Sequence, residues 1–363
     1  ARLLKIHLLE HKKVHRHVFV DSDDLRDLNM LFTYIKDDLE TLIVLCTKDV
    51  LQRPWCLGEV TTAFLNKVKM VRVTVPDFTP LDDVAIIAVG QTRSTNDIRL
   101  LAEHGMSMAM VQDALTWFFT VSNIDMPSLV SNESILALAH ELVLQVLNQD
   151  LSMQINMAST VVSLVQSRTT FILADQTKME ASCTACIVQK LLTPLLIADQ
   201  REGMVLEILM PASELPASAR HVVVVCTNGI FEHLSVVDAL IAADKVHAVL
   251  IPIVSESTFR FPSPAFYTEL QEVITKATGG LQIAGVLKAE VLVRIVQGLF
   301  KEIAIEVNPQ DQELVLRIRV QALASRLLAA PKLQQRSVSK DSSSSSRRSA
   351  NPSARRWAPA AAT

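Results

Sequence analysis

HVFVDSDDLRDLNMLFTYIKDDLETLIVLCTKDVLQRPWCLGEVTTAFLNKVKMVRVTVP, residues 17–76, alternates short β-branched runs with segments whose apolar residues recur at helical spacing. The order predicted is a strand over 17–21, a charged loop, a helix from about Leu28, a strand over 41–47, a helix from Pro54 and a strand over 70–75. Strands alternating with helices imply a parallel sheet with crossover connections. Residues 41–47, TLIVLCT, are apolar throughout their middle, as a central strand covered on both faces should be. In Arg53-Pro54-Trp55-Cys56-Leu57-Gly58-Glu59 a proline suited to the first helical turn precedes a Trp and a Glu four residues apart. That spacing puts both side chains on one helix face. Ligands of open α/β sheets gather beyond the carboxyl ends of the strands, where Thr47, Lys48 and the start of this helix are expected to meet.

The segment Trp55-Cys56-x-x-Glu59, with the acidic loop that follows Val18-Phe19-Val20-Asp21, resembles the TIR (Toll/interleukin-1 receptor-like) domain family over residues 2–147. The resemblance implies a flavodoxin-like α/β unit whose partners are other TIR domains. In enzymatic members it also implies cleavage of NAD at the nicotinamide–ribose bond, with NAD as substrate and no permanently bound cofactor. Glu59 then matches the catalytic glutamate, which would stabilise positive charge developing on the ribose, with Trp55 and Thr47 in support. Asp21, Asp23, Asp24 and Asp27 fall in a loop that the family uses for association and pocket closure. A TIR domain begins one strand earlier, so the first unit is expected to lack its first strand, by truncation or by degeneration. Taken without the resemblance, the same residues read more plainly. Trp55 anchors a helix to a sheet, Glu59 is a solvated helical carboxylate, and the acidic run is a strand-to-helix turn with an Asp cap.

The pattern restarts in the second half. A strand over 169–174, a helix over 180–196, a strand over 204–209 and a loop over 211–219 lead to HVVVVCT at 221–227, which mirrors LIVLCT at 42–47. A helix over 231–244 and a strand near Val249 follow, so the chain reads as a tandem of two α/β units with mainly parallel sheets. The second copy lacks the Trp and the Glu, and an alignment gap sets Val237 or Asp238 opposite Glu59. The organisation expected is a TIR-like domain at 1–150, a helical connector at 151–168, a degenerate second domain at 169–308, a helix at 309–330 and a tail at 331–363. The tail holds seven Lys or Arg against one Asp and a run of five serines, a composition expected to be disordered.

Composition bounds the function. The 363 residues are 49% hydrophobic, which suffices for two cores, and 5% aromatic, which makes those cores aliphatic. A formal charge of −3 gives no bulk attraction to nucleic acid. The longest apolar runs are too short to span a bilayer, and residues 1–9 lack the apolar stretch of a cleavable signal, so a cytoplasmic location is expected. Five scattered cysteines suggest reduced thiols. Cys183 and Cys186 have redox-motif spacing but lie within a helical pattern, as small core residues would. His7, His11 and His15 fall at helical spacing; the competing readings are a metal-binding stripe and, preferred because lysines surround them, a solvated basic face. No metal site is expected, and there is no phosphate-binding glycine loop. Three functions stay open: signal transduction through TIR–TIR contacts, an NAD glycohydrolase using Glu59, and a decayed duplicate.

Overall fold

The computed structural model describes residues 1–147, 170–198, 206–210, 213–277 and 283–329. Two parallel sheets organise them. The first half runs α1 (Arg2–Glu10), α2 (Asp21–Asp24), α3 (Leu31–Asp37), β1 (Thr41–Cys46), α4 (Pro54–Leu65), β2 (Lys69–Thr74), α5 (Asp83–Ile87), α6 (Thr95–Glu103), α7 (Met108–Phe118), β3 (Asn123–Asp125) and α8 (Asn132–Val146). The second half runs β4 (Thr170–Leu173), α9 (Met179–Ala198), β5 (Leu206–Ile208), β6 (His221–Cys226), α10 (Leu234–Lys245), β7 (Val249–Val254), α11 (Pro264–Ala277), α12 (Ile283–Leu299), β8 (Ile305–Glu306) and α13 (Glu313–Ala329). The connector at 151–168 and the tail at 331–363 lie outside the described residues.

The first sheet has the order β1-β2-β3, all parallel. Alternation along β2 divides its core: Met70 faces α4 and α7, whereas Val71 and Val73 face α1 and α8. The second sheet has the order β5-β4-β6-β7-β8, also all parallel. Val222, Val224 and Cys226 of β6 face α10 and α12, and Val223 and Val225 face α9 and α13. Every residue of β6 is buried, as its continuous apolar run requires.

Several expectations fail in the first half. Residues 17–20 pair with no strand among the described residues, and the predicted strand gives way to the single helical turn α2. A strand needs a partner for its backbone groups, and on this side the sheet ends at β1. For the same reason β1 is an edge strand, half-buried over Thr41–Ile43, rather than the central strand its apolar run suggests. Residues 94–121, whose apolar spacing reads as one helix, form two, broken where Gly105 takes the left-handed φ of 78°. The short strand β3 was not anticipated. α1 stops at Glu10, so His15 does not share its face with His7. His7 is buried rather than solvated, with Nε2 at 3.2 Å from Asn132 Oδ1.

β1, α4 and β2 recur as β6, α10 and β7 at a constant offset of 180 residues, from Thr41 and His221 through Pro54 and Leu234 to Lys69 and Val249. Among the described residues the two non-glycine positions with positive φ, Lys67 and His247, obey the same offset, each at 57°. Cys46 Sγ donates to Val44 O and Cys226 Sγ to Val224 O in the same way. The predicted gap is therefore absent: Ala239 stands opposite Glu59 and Ser235 opposite Trp55. All five cysteines are free, and Cys183 and Cys186 lie within α9. Among the described helices α9 alone has the length and apolarity to cross a membrane, but half of it is buried against the sheet, α1 and α13.

Candidate functional site

Pro54 opens α4 at a position where its missing N–H is not needed, and Arg53 precedes it in extended conformation. The helix lies close against α3 because Gly58 has no side chain: a Cβ there would sit 2.3 Å from the Phe32 ring. Phe32 stacks on Trp55 with ring centroids 5.3 Å apart, and His104 closes the group edge-on at 4.8 Å from Phe32. Trp55 is thus half-buried and holds the start of α4 to α3 and the end of α6. Its spacing identified it; Phe32 and His104, distant in sequence, gave no signal.

Glu59 lies one turn further along the same helix, half-buried. Burial pushes its carboxyl up to about 7, the charge of Asp21 adds to the rise, and a hydrogen bond with Cys56 opposes it. Burial, with Glu59 beside it, likewise pushes the Cys56 thiol up to about 11. An acid group in this state is largely neutral below pH 7, which suits proton exchange better than fixed negative charge.

The structure divides the acidic run among separate tasks. Asp21 is exposed and sends its field toward Glu59. Asp23 and Asp24 turn away to Arg2 and Lys5 of α1. Asp27 accepts from the Asn29 amide at 3.0 Å, the cap expected of it. Thr47 is exposed just past β1, where its carbonyl accepts from Val50 N.

At the matching place in the second half a cavity of about 730 Å³ opens between the end of β4, the segment after β5 and α10. Leu173, Gln176, Met210 and Ser213 form one side of it, and Ser235 and Ala239 the other. Small side chains stand there where α4 carries Trp55 and Glu59. Sequence reasoning missed this cavity, since the loss of two bulky residues is visible only once the offset is known. Beside it, at the carboxyl ends of β4 and β6, Asp175 is buried to 1% exposure. Its Oδ1 accepts from Thr177 N and Oγ1, and its Oδ2 lies 3.0 Å from His233 Nε2. Lys178 Nζ donates to the Asn228 carbonyl, and Asn228 Nδ2 donates to Glu256 at 2.6 Å, tying the β6 and β7 ends together. Thr227 Oγ1 is buried without a hydrogen-bond partner, although its counterpart Thr47 is exposed.

Among the described residues no group of three or more His, Cys, Asp or Glu side chains is arranged to hold a metal ion. No protein-family model, curated protein or solved structure matches this chain.

Proposed function

We propose that the chain is a tandem of two flavodoxin-like, TIR-like units that works by protein association in cytoplasmic signal transduction, through contacts with other TIR-like surfaces. The order β5-β4-β6-β7-β8 supports the flavodoxin-like reading of the second unit. The constant 180-residue offset supports duplication, with counterparts of β4 and β5, on the open side of β1, missing from the described residues of the first unit. The single observation that carries association over catalysis is that the parts of a catalytic site are divided. The carboxylate is in the first unit, raised to about 7 by burial and then by the charge of Asp21; in the second, a cavity faces Ser235 and Ala239 instead. Tandem units raise the effective concentration of each surface for a multivalent partner.

One observation favours NAD cleavage as a second reading. Glu59 is a perturbed acid one turn from a half-buried Trp, the kind of group found where chemistry occurs. One experiment separates the two: sedimentation velocity of the full chain over a range of concentration and ionic strength, with NAD added in parallel and nicotinamide measured. Association that weakens with salt, without nicotinamide release, supports the first reading. Nicotinamide release that disappears in Glu59→Gln transfers the function to the second. A monomer under every condition removes association.

A further inference from the structure

Charged side chains are seldom buried unless paired, yet Arg2 and Lys5 are each 5% exposed and Asp23 is 8% exposed. They converge on one point. The Arg2 guanidinium donates to Asp23, to Ser22 Oγ at 3.1 Å and to the Asp311 carbonyl at 2.6 Å, while its Nε donates to the Pro309 carbonyl at 3.3 Å. Lys5 Nζ donates to Asp23 at 2.9 Å and to Asp24 at 3.2 Å. The second oxygen of Asp23 accepts from the Glu313 amide at 3.0 Å, the first residue of α13. Asp23 thus caps a helix of the second unit from a turn of the first, where the helix dipole favours an anion. Asp24 is held in its turn by the Val20 amide at 2.8 Å and by His17 at 3.0 Å.

This cluster joins residues 2–24 to residues 309–313 and bridges elements associated with the two sheets. The rest of the contact is mainly apolar, Leu3, Leu4 and Leu8 of α1 packing with Cys186 and Ile187 of α9, with Lys190 Nζ donating to Glu10 at 2.6 Å and Asn132 Nδ2 to Gln189 at 2.6 Å at its side. An apolar patch alone would bury this area; a buried ion cluster adds little net stability over such a patch but fixes one geometry, and removing one partner leaves the others charged and unpaired. That is the chemistry of a latch.

We propose that α2 is an autoinhibitory latch: Arg2 and Lys5 hold the carboxylates of Asp23 and Asp24 against α13, closing the first unit on the second and withholding those carboxylates from a cationic surface of a partner TIR-like unit. The withholding rests on the association reading above; the latch itself does not. Arg2→Gln with Lys5→Gln removes the holder and leaves every carboxylate of the turn in place, and Lys5→Gln alone is the milder release should the pair fail to fold. Hydrogen exchange at the Glu313 amide in the full chain reads the latch directly. We expect exchange about tenfold faster or more, because a buried hydrogen bond to a charged acceptor is lost, with β6 amides unchanged. Sedimentation velocity of the same variant then shows association at lower concentration than wild type, reversed by about 0.5 M salt. Unchanged Glu313 exchange with β6 intact overturns the latch. Faster exchange without gain of association overturns its inhibitory role. Failure of the association reading is recognised separately, as sedimentation that responds to neither concentration nor salt in wild type and released variant alike.

Discussion

Replacing Glu59 by Gln keeps the size and hydrogen-bonding capacity of the side chain and removes its titration. In the folded chain burial, reinforced by Asp21, raises this carboxyl from an ordinary 4.5 to about 7. A raised acid binds its proton in the folded state where the unfolded chain has already released it, so the stability it contributes is full below pH 4.5 and is lost as pH rises through 7. The rise corresponds to an upper bound of about 3 kcal/mol, and solvent at this half-buried position reduces it to about 1–2 kcal/mol. Urea unfolding of wild type and variant at several pH values between 4 and 8.5 measures the difference. The two are expected to be nearly equal near pH 4, with the Gln variant more stable by about 1–2 kcal/mol at pH 8. A difference that does not change with pH would refute the reasoning, and so would a variant less stable than wild type at pH 8, since that would mean Glu59 is ionised and favourably paired.

Gly58→Ala places a methyl group 2.3 Å from a stacked ring, so it should destabilise the first unit by about 1–3 kcal/mol, with Phe32→Leu recovering much of the loss; calorimetry of the four chains checks this. His7 and His11 are lowered from 6.5, first by burial and then by Lys190 and His140 respectively, so their contribution is full above 6.5 and is lost as pH falls through their lowered folded values. Acid should therefore loosen α1 from α8, and tryptic cleavage after Lys12 or Lys13 should accelerate below pH 6 in wild type and less so in His11→Gln. Burial raises the Asp23 and Asp24 carboxyls, but hydrogen bonds outweigh it and leave both below the usual range: Arg2 and Lys5 act on Asp23, and the Val20 amide and Lys5 on Asp24. The stability that they add is present above about pH 4 and is lost as pH falls further, so Asp23→Asn should flatten the acid limb of the unfolding curve below pH 4.

What the sequence revealed is what local pattern encodes. The apolar runs at 42–46 and 222–226, the proline at 54 and the break before Lys69 announce strand, helix and strand in each half, because alternation and helix starts depend on neighbours in the chain. Apart from the local break at Gly105, the failures involve partners far away. HVFV at 17–20 has strand composition but no neighbouring strand to bond, and LIVLC at 42–46 gives no sign that it borders the sheet on one side. Asp23 reads as a solvated turn residue until Arg2, Lys5 and the amide of Glu313 are seen around it. Trp55 and Glu59 were visible as a pair on one face; the burial that raises the Glu59 carboxyl to about 7, and the charge of Asp21 in α2 that adds to it, were not. The second cavity is a matter of what Ser235 and Ala239 do not fill.

In the proposed association through TIR-like surfaces, the exposed part of the acidic turn is a contact. Asp21 and Asp27 are the members of the run that remain exposed, and neither holds the latch. Sedimentation velocity of Asp21→Lys with Asp27→Lys against wild type, at low and high ionic strength, measures that contact. Wild type is expected to associate more strongly at low salt and the charge-reversed chain to lose most of that association, the two converging when salt screens the charges. Identical sedimentation of both chains at every concentration and ionic strength would contradict it.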